Sequence, residues 1–447
     1  MTKQFDLIVL GAGSAGLTVA QRAARHGARV ALIDPGLMGG TCVNLGCVPK
    51  KAMWFAAQLA QAQVLAVDYG FDLAPGRLDW QRFRQLRDRY IEGIRQRYDR
   101  RLREVGVQVI GEAARFVAAD TVETAQGTCC RAPQVVIATG ASPRRLELPG
   151  FGLGMVSDDM FSLDAAPRRI AIVGGGYIAT EFACLLRSLG AEVELLIRER
   201  LLDTFDAEMA QALCERMQAQ GIRVARADVR GVRGAPGALL LDDATGAVHG
   251  RYDALLWAVG RVPNTRSLGL EEIGVALDPG GHVRVDAWQN TTVPGIAALG
   301  DVTARKALTP VAVAAGYALA ERLFGGKADA RFDYELVPSV VFAEPPLGMV
   351  GLGEAEARER HGDAVRVYTR RFTPLQLAVA GHAAPSLMKL VCHGDDDRVL
   401  GIHVLGPGAD EMLQGFAVAL RKGLTRHELR AAVAIHPTSA EELLLPR

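Results

Sequence analysis

The chain has 447 residues, of which 49% are apolar and 23% charged, with a formal net charge of +1. That balance is globular, leaves room for about three domains, and supplies no overall field for nucleic acid or a membrane surface. No basic leader or cleavage-site pattern precedes QFDLIVLGAG, and the apolar run Ala307–Ala320 is broken by Pro310 and Gly316, so a soluble cytoplasmic protein is expected. Seven cysteines in a reducing compartment are expected to be free or functional, not a structural framework.

From the N-terminus, Leu7–Asp34 reads as strand, glycine turn, helix and strand. Gly11 permits the tight turn, Gly13 lets backbone approach a pyrophosphate, and Gly16 lets the helix lie close to the strand. The helix start then offers free amides to phosphate. Asp34 ends the second strand, where a carboxylate binds a ribose hydroxyl pair, so an unphosphorylated dinucleotide is expected here.

GGTCVNLGCVPKK, Gly39–Lys51, comes next, with Cys42 and Cys47 five residues apart. Zinc needs four ligands, and no second pair or histidine is close in sequence, so no metal is expected. Inert core thiols are the plain alternative. Five helical residues turn through about 500 degrees, so the two sulfurs cannot share a regular helix face. A disulfide requires Cys42 at or before a distorted first turn and Cys47 further in. A thiol near a helix start and near Lys50 has a lowered pKa and is a ready nucleophile.

Asp79–Gly106 is rich in arginine but interspersed with acids, and reads as a solvated helix. Val135–Pro143, Leu255–Thr265 and Gly295–Gly316 each end a buried strand in a glycine turn, the last with a helix starting near Thr309. Ile170–Arg200 repeats the first pattern, with Gly174 and Gly176 in the first two glycine places and Ala179 in the third. Its strand ends in Arg198, with Arg200 beside it. Guanidinium there suits a 2′-phosphate, so NADPH is expected in this second fold.

These stretches, with GRVPNT, GDVTARKALTPVA, DEMLQGFAVAL and IHPTSAEE, resemble the glutathione reductase branch of the class I pyridine nucleotide-disulfide oxidoreductases, from about Phe5 to the C-terminus. The resemblance implies an α/β fold with two Rossmann-like dinucleotide-binding domains and a C-terminal α+β dimerisation domain. It places an FAD-binding domain with the redox disulfide at 1–141 and an NADPH-binding domain at 142–263. A central domain at 264–334 completes the FAD site, and the dimerisation domain is 335–447. FAD and NADPH are the implied cofactors and a homodimer the implied assembly, with no nucleic acid or membrane partner.

By the same resemblance Cys47 is the thiol nearer the flavin, and Cys42 attacks the substrate disulfide. Lys50 resembles a lysine beside the flavin, with Glu181 its ion-pair partner. Tyr177 resembles an aromatic gate for the nicotinamide. Asp301 and Thr309 resemble residues holding the ribityl chain and the pyrimidine edge. The remaining FAD positions are Ser14, Ala15, Gly40, Thr41, Ala113, Thr139 and Gly140; the remaining NADPH positions are Ile178, Gly260 and Arg261. His436 is the expected proton carrier, oriented by Glu441 and acting on the other subunit's disulfide. Arg22, Tyr90, Tyr98 and Tyr317 are expected at the substrate.

Tyr317 stands where the family pattern has an arginine that contacts a substrate carboxylate, and a phenol donates one hydrogen bond without charge. The segment RERLLDTFD is one residue shorter than the pattern, with Arg200 taken as the second phosphate-binding arginine. Thr18 and Gln21 stand where a trypanothione-type relative has an acid and a tryptophan, so the resemblance implies no cationic polyamine disulfide. The expected activity is NADPH-dependent reduction of a small disulfide, glutathione disulfide first. A related small disulfide, a dihydrolipoamide dehydrogenase-like reaction and a non-catalytic flavin-binding protein are the alternatives.

Overall fold

The computed structural model describes residues 2–74, 76–235 and 237–445. The chain forms two compact units: Met1–Lys50 with Arg82–Arg144 and Arg261–Tyr334, and Lys51–Gln81 with Arg145–Gly260 and Glu335–Arg447.

The first unit is built on a five-stranded parallel sheet, in the order Ile296–Ala298, Gln134–Ile137, Leu7–Leu10, Val30–Ile33, Gln108–Ile110. Leu7–Leu10 and Val30–Ile33 are apolar at every position and wholly buried, as strands covered on both faces must be. Helices Ser14–Arg25 and Thr309–Leu323 pack on one face through Val19, Ala20, Ala315 and Leu319. Each buried Val or Leu in such a layer contributes roughly 1.5–3 kcal/mol. The other face meets Phe116, Val122 and Cys130 of a smaller sheet. Cys130 is thus a core filler, and burial pushes its thiol pKa up.

The second unit repeats the design. Its parallel sheet runs Met155–Val156, Ala254–Trp257, Arg169–Val173, Glu192–Ile197, Arg223–Arg226. Helix Tyr177–Ser188 leaves the glycine turn after the central strand, and buries eight of its residues. The same unit carries a five-stranded antiparallel sheet, in the order Ser339–Val341, Leu347–Gly351, Arg398–Leu405, Ser386–His393, Val365–Phe372. Helix Ala409–Arg421 covers one face through Leu413, Ala417 and Leu420, and helix Glu354–His361 packs Ala357 beside Val365 and Val391. Lys51 also belongs to this unit: its Nζ lies 3.5 Å from the Trp54 ring centroid and 3.7 Å from that of Phe342, and 3.2 Å from an Asp410 oxygen.

The arginine-rich segment is helix Trp80–Glu104. Arg84 pairs with Asp88 and Arg95 with Glu92 along its surface, while Trp80, Arg87, Ile91 and Leu102 are buried, so one face of the helix is packed and not solvated. Among the described residues no helix is long and apolar enough to cross a membrane, and no group of three or more His, Cys, Asp or Glu could hold a metal ion.

Candidate active site

The cysteine pair sits against the first glycine turn. Gly39 donates its N–H to the Ala12 carbonyl at 2.9 Å, and a Cβ on Gly40 would stand 2.8 Å from Gly13 Cα, so only glycine fits. The Asn44 side-chain amide donates to the Met38 and Gly40 carbonyls, which fixes the turn. The expected placement of the cysteines needs one correction. Cys42 lies in a separate short helix, Gly40–Asn44, and Cys47 is the first residue of helix Cys47–Asp68, not a residue further in. The break at Leu45–Gly46 resets the helical phase, which solves the alignment problem of a five-residue spacing.

The two thiols influence each other and split their acidities. Donation from Cys42, aided by the Thr309 hydroxyl and the charge of Lys50, holds the Cys47 thiol down at about 6. The Cys47 Sγ to Thr309 Oγ1 distance is 3.4 Å. Cys42 is pushed far up, first by donating to Cys47 and then by burial, against weaker help from Thr309 and Ser14. The pair therefore shares one proton, with thiolate character on Cys47. Cys47 is exposed, while Cys42 is half-buried.

Around the same turn, Asp34 accepts hydrogen bonds from the Ala12 and Gly36 amides. Ser14 and Ala15 open the helix, and Gly13 has open space where its Cβ would be. Thr41 lies beside Cys42, and its carbonyl accepts from Leu45 N–H. Thr139 donates to the Asn264 carbonyl at 2.8 Å, and Gly140 adopts φ +69°. Arg261 donates to the Ala141 carbonyl. Burial raises the Asp301 carboxyl, partly offset by Arg261. Ala113 is exposed, and its carbonyl accepts from Ala125 N–H.

Arg22 is not an isolated cation. Its guanidinium pairs with Glu321 and lies 4.6 Å from the Tyr317 ring centroid. Glu321 also takes His26 at 2.9 Å and Lys327 at 2.8 Å. Those partners, Lys327 first and then Arg22, hold its carboxyl down at about 2. Two permanent cations on one acid leave the cluster positive. Glu321, His26 and Lys327 were not legible as site residues; the i,i+4 spacing of Tyr317 and Glu321 on one helix was the available signal. Tyr90 is exposed, whereas Tyr98 packs partly buried against the core.

In the second unit, Gly174 has φ +138°, and a Cβ there would stand 2.2 Å from the Ala258 carbonyl oxygen. Gly176 has open space in front, and Tyr177, 48% exposed, starts the helix with Ile178 after it. Gly260 turns the chain at φ +103°. Arg198 is exposed. Arg200 donates to the Asp203 carbonyl, which ties it to its own loop. Glu181 is buried, and its Oε1 accepts from Phe342 N–H at 2.8 Å.

His436 Nδ1 lies 3.0 and 3.1 Å from the two Glu441 oxygens, and Glu441 also accepts from Thr438 N–H. The His436 hydrogen bond holds the Glu441 carboxyl down. The His436–Pro437 bond is cis. The His436 side chain is 79% exposed, and its neighbours Val433 and Ile435 are among the most exposed apolar residues.

Two nucleotide-type glycine turns and a thiol pair of split acidity define a flavoprotein disulfide oxidoreductase. The chain belongs to the pyridine nucleotide-disulphide oxidoreductase family: residues 5–316 match that family's profile, and 337–446 match its dimerisation domain. It is 41% identical to a glutathione reductase of Schizosaccharomyces pombe and 39% identical to one of Yarrowia lipolytica, over 99% of each chain in both comparisons. FAD and NADPH are its cofactors. The protein fits them: both turns leave open space at their second glycine, and Asp301, a half-buried carboxylate with no hydrogen-bond partner seen among the described residues, suits a polyol hydroxyl.

Proposed function

We propose that this protein reduces glutathione disulfide with NADPH, through FAD and a Cys42–Cys47 redox pair. The observation that carries the reading is the placement of the pair, Cys42 and Cys47 on two short-coupled helix segments against the first glycine turn and beside Thr309, in a family defined by disulfide chemistry. Full-length similarity to two glutathione reductases favours this substrate. The domains run 1–141 for FAD with the redox pair, 142–263 for NADPH, 264–334 completing the FAD site, and 335–447 for dimerisation. The setting is cytoplasmic, and the working unit is a homodimer.

When bound, FAD supplies the two-electron relay from NADPH to the Cys42–Cys47 disulfide. In the reduced protein Cys42 holds its proton, so its attack needs a base. The partner subunit's His436, oriented by Glu441, takes that proton. The Cys42 sulfur then bonds one sulfur of the substrate disulfide, and the departing thiolate receives the proton from His436. The Cys47 thiolate next attacks the Cys42 sulfur, which re-forms the pair and expels the second product as a thiolate that takes its proton from water. Two electrons leave the dithiol and one disulfide becomes two thiols. Lys50 and Thr309 hold the Cys47 thiolate between steps. Gly11, Gly13, Ser14, Gly16 and Asp34 bind the FAD pyrophosphate and ribose. Gly174 and Gly176 bind the NADPH pyrophosphate, Arg198 and Arg200 its 2′-phosphate, and Tyr177 gates the nicotinamide.

Tyr317 favours a second reading, a related low-molecular-weight disulfide with one carboxylate fewer at that position. Steady-state NADPH oxidation against a panel of small disulfides separates the two. The first reading expects the highest kcat/KM with glutathione disulfide, and a higher value with another disulfide would replace it.

A further inference from the structure

Within the second unit, one lysine is buried among acids. Lys389 is 1% exposed, on strand Ser386–His393, between Thr369 and His403 of the neighbouring strands. Its Nζ lies 3.0 Å from Asp206 Oδ1, 3.1 Å from Glu208 Oε2 and 2.8 Å from Glu354 Oε2. A buried ammonium is costly unless several acceptors surround it. Burial opposes the charged form of Lys389, yet Glu354 and Asp206 hold it protonated.

Asp206 is the centre of this cluster. Its side chain caps helix Ala207–Ala219 by accepting from Glu208 and Met209 N–H, and it also accepts from Glu354 N–H at the start of helix Glu354–His361. It is the last residue of the RERLLDTFD loop, 198–206, that carries Arg198 and Arg200. The front of that loop is fixed on the second glycine turn. Leu202 donates its N–H to the Gly175 carbonyl at 2.7 Å, and the Arg200 carbonyl oxygen stands 2.9 Å from where a Gly175 Cβ would be. Leu201 and Leu202 are buried, and Leu202 is held at φ +49°, a conformation that costs a branched side chain energy. Such a conformation persists only when both ends are pinned. The glycine turn pins one end and the Lys389 cluster pins the other.

We propose that Lys389 is a positioning residue for coenzyme choice: through Asp206 it fixes loop 198–206 so that Arg198 and Arg200 meet a 2′-phosphate. This rests on the reading of Arg198 and Arg200 as NADPH contacts. It makes the antiparallel sheet of 335–447 a support of the coenzyme site, acting through the helix cap at Asp206.

Equilibrium binding tests it without turnover. Titration calorimetry of the holoprotein with 2′,5′-ADP and with 5′-AMP reads phosphate recognition apart from general nucleotide binding. The double variant Lys389→Met with Asp206→Asn removes both charges of the buried pair and leaves an acceptor oxygen for the helix cap. Its 2′,5′-ADP affinity is expected to fall about tenfold, the scale of one charged hydrogen bond, with less than about a twofold change for 5′-AMP. Glu354→Gln removes a half-exposed partner and is expected to shift the same ratio about threefold, so a folding failure of the double variant leaves the test intact. Equal losses for both ligands, or an unchanged ratio in the folded variants, overturn the proposal. A wild-type protein that binds the two ligands equally would overturn the NADPH reading itself, and this inference with it.

Discussion

The strands Leu7–Leu10 and Arg169–Val173 each occupy the middle of a five-stranded parallel sheet, and each leaves it through a glycine at positive φ. In both, the missing Cβ makes room for a carbonyl at the end of the neighbouring strand, Ala138 in the first and Ala258 in the second. The backbone solution for a pyrophosphate is therefore the same twice. The differences lie in a few side chains beyond it. In the first fold, Asp34 turns its carboxylate onto the Ala12 and Gly36 amides, and the chain goes on into Gly39, Gly40 and the cysteine pair. In the second, Arg198 is exposed, and the chain goes on into a loop locked by Asp206 and Lys389. The two folds thus diverge after the second strand, one into the cysteine pair and the other into an arginine-bearing loop. Generic backbone geometry binds a dinucleotide; local side chains choose which one and what is done with it.

Removing what distinguishes the first fold is expected to have the largest effect. Cys42→Ser lowers disulfide turnover about a thousandfold or more, because no other group replaces the attacking sulfur. NADPH binding by calorimetry remains unchanged in that variant. Turnover within tenfold of wild type would place the nucleophile elsewhere.

Removing what distinguishes the second fold is expected to cost less. Arg198→Met lowers the NADPH-to-NADH ratio of kcat/KM about ten- to a hundredfold, the worth of a charged hydrogen bond to phosphate. Equal loss with both coenzymes would remove the phosphate contact from the account.

A third expectation concerns pH. Cys47 is depressed in the folded, reduced protein to about 6, below a free thiol. Its contribution to stability is fully present above the free-thiol pKa and is lost as pH falls through about 6. Thermal unfolding of the reduced protein should therefore lose Tm more steeply than that of the oxidised protein between pH 8 and pH 5, and parallel curves would contradict the shared proton. The smallest effect is at the substrate. Tyr317→Arg is expected to lower KM for glutathione disulfide about two- to fivefold, the range of an exposed ion pair. An unchanged KM would show that this position does not meet a carboxylate.

Much of this was legible in the sequence where a local pattern has a local cause. The two strand–turn–helix–strand units, the helix from Thr309 and the helix over 80–104 come from apolar runs, glycines and periodicity. His436 and Glu441 were legible through the IHPTSAEE stretch and the family resemblance it carries, and their side chains do meet. The start of a new helix at Cys47 was not, because Leu45–Gly46 carries no strong stop signal beyond one glycine. The pairing of Arg22 with Glu321 was hidden by a sequence separation of 299 residues. Lys389 was hidden for a different reason: a lysine inside SLMKLVCH reads as a solvent-facing strand position, and only the packing of helix Glu354–His361 and Asp206 against that face buries it.

The most direct test tracks the Gly39–Lys51 segment itself. Oxidised holoprotein is mixed anaerobically with one equivalent of NADPH, alkylated, digested and weighed. The account predicts an intact Cys42–Cys47 disulfide before NADPH and two alkylated cysteines after it. Two free thiols at both stages, or a disulfide untouched by NADPH, would contradict it.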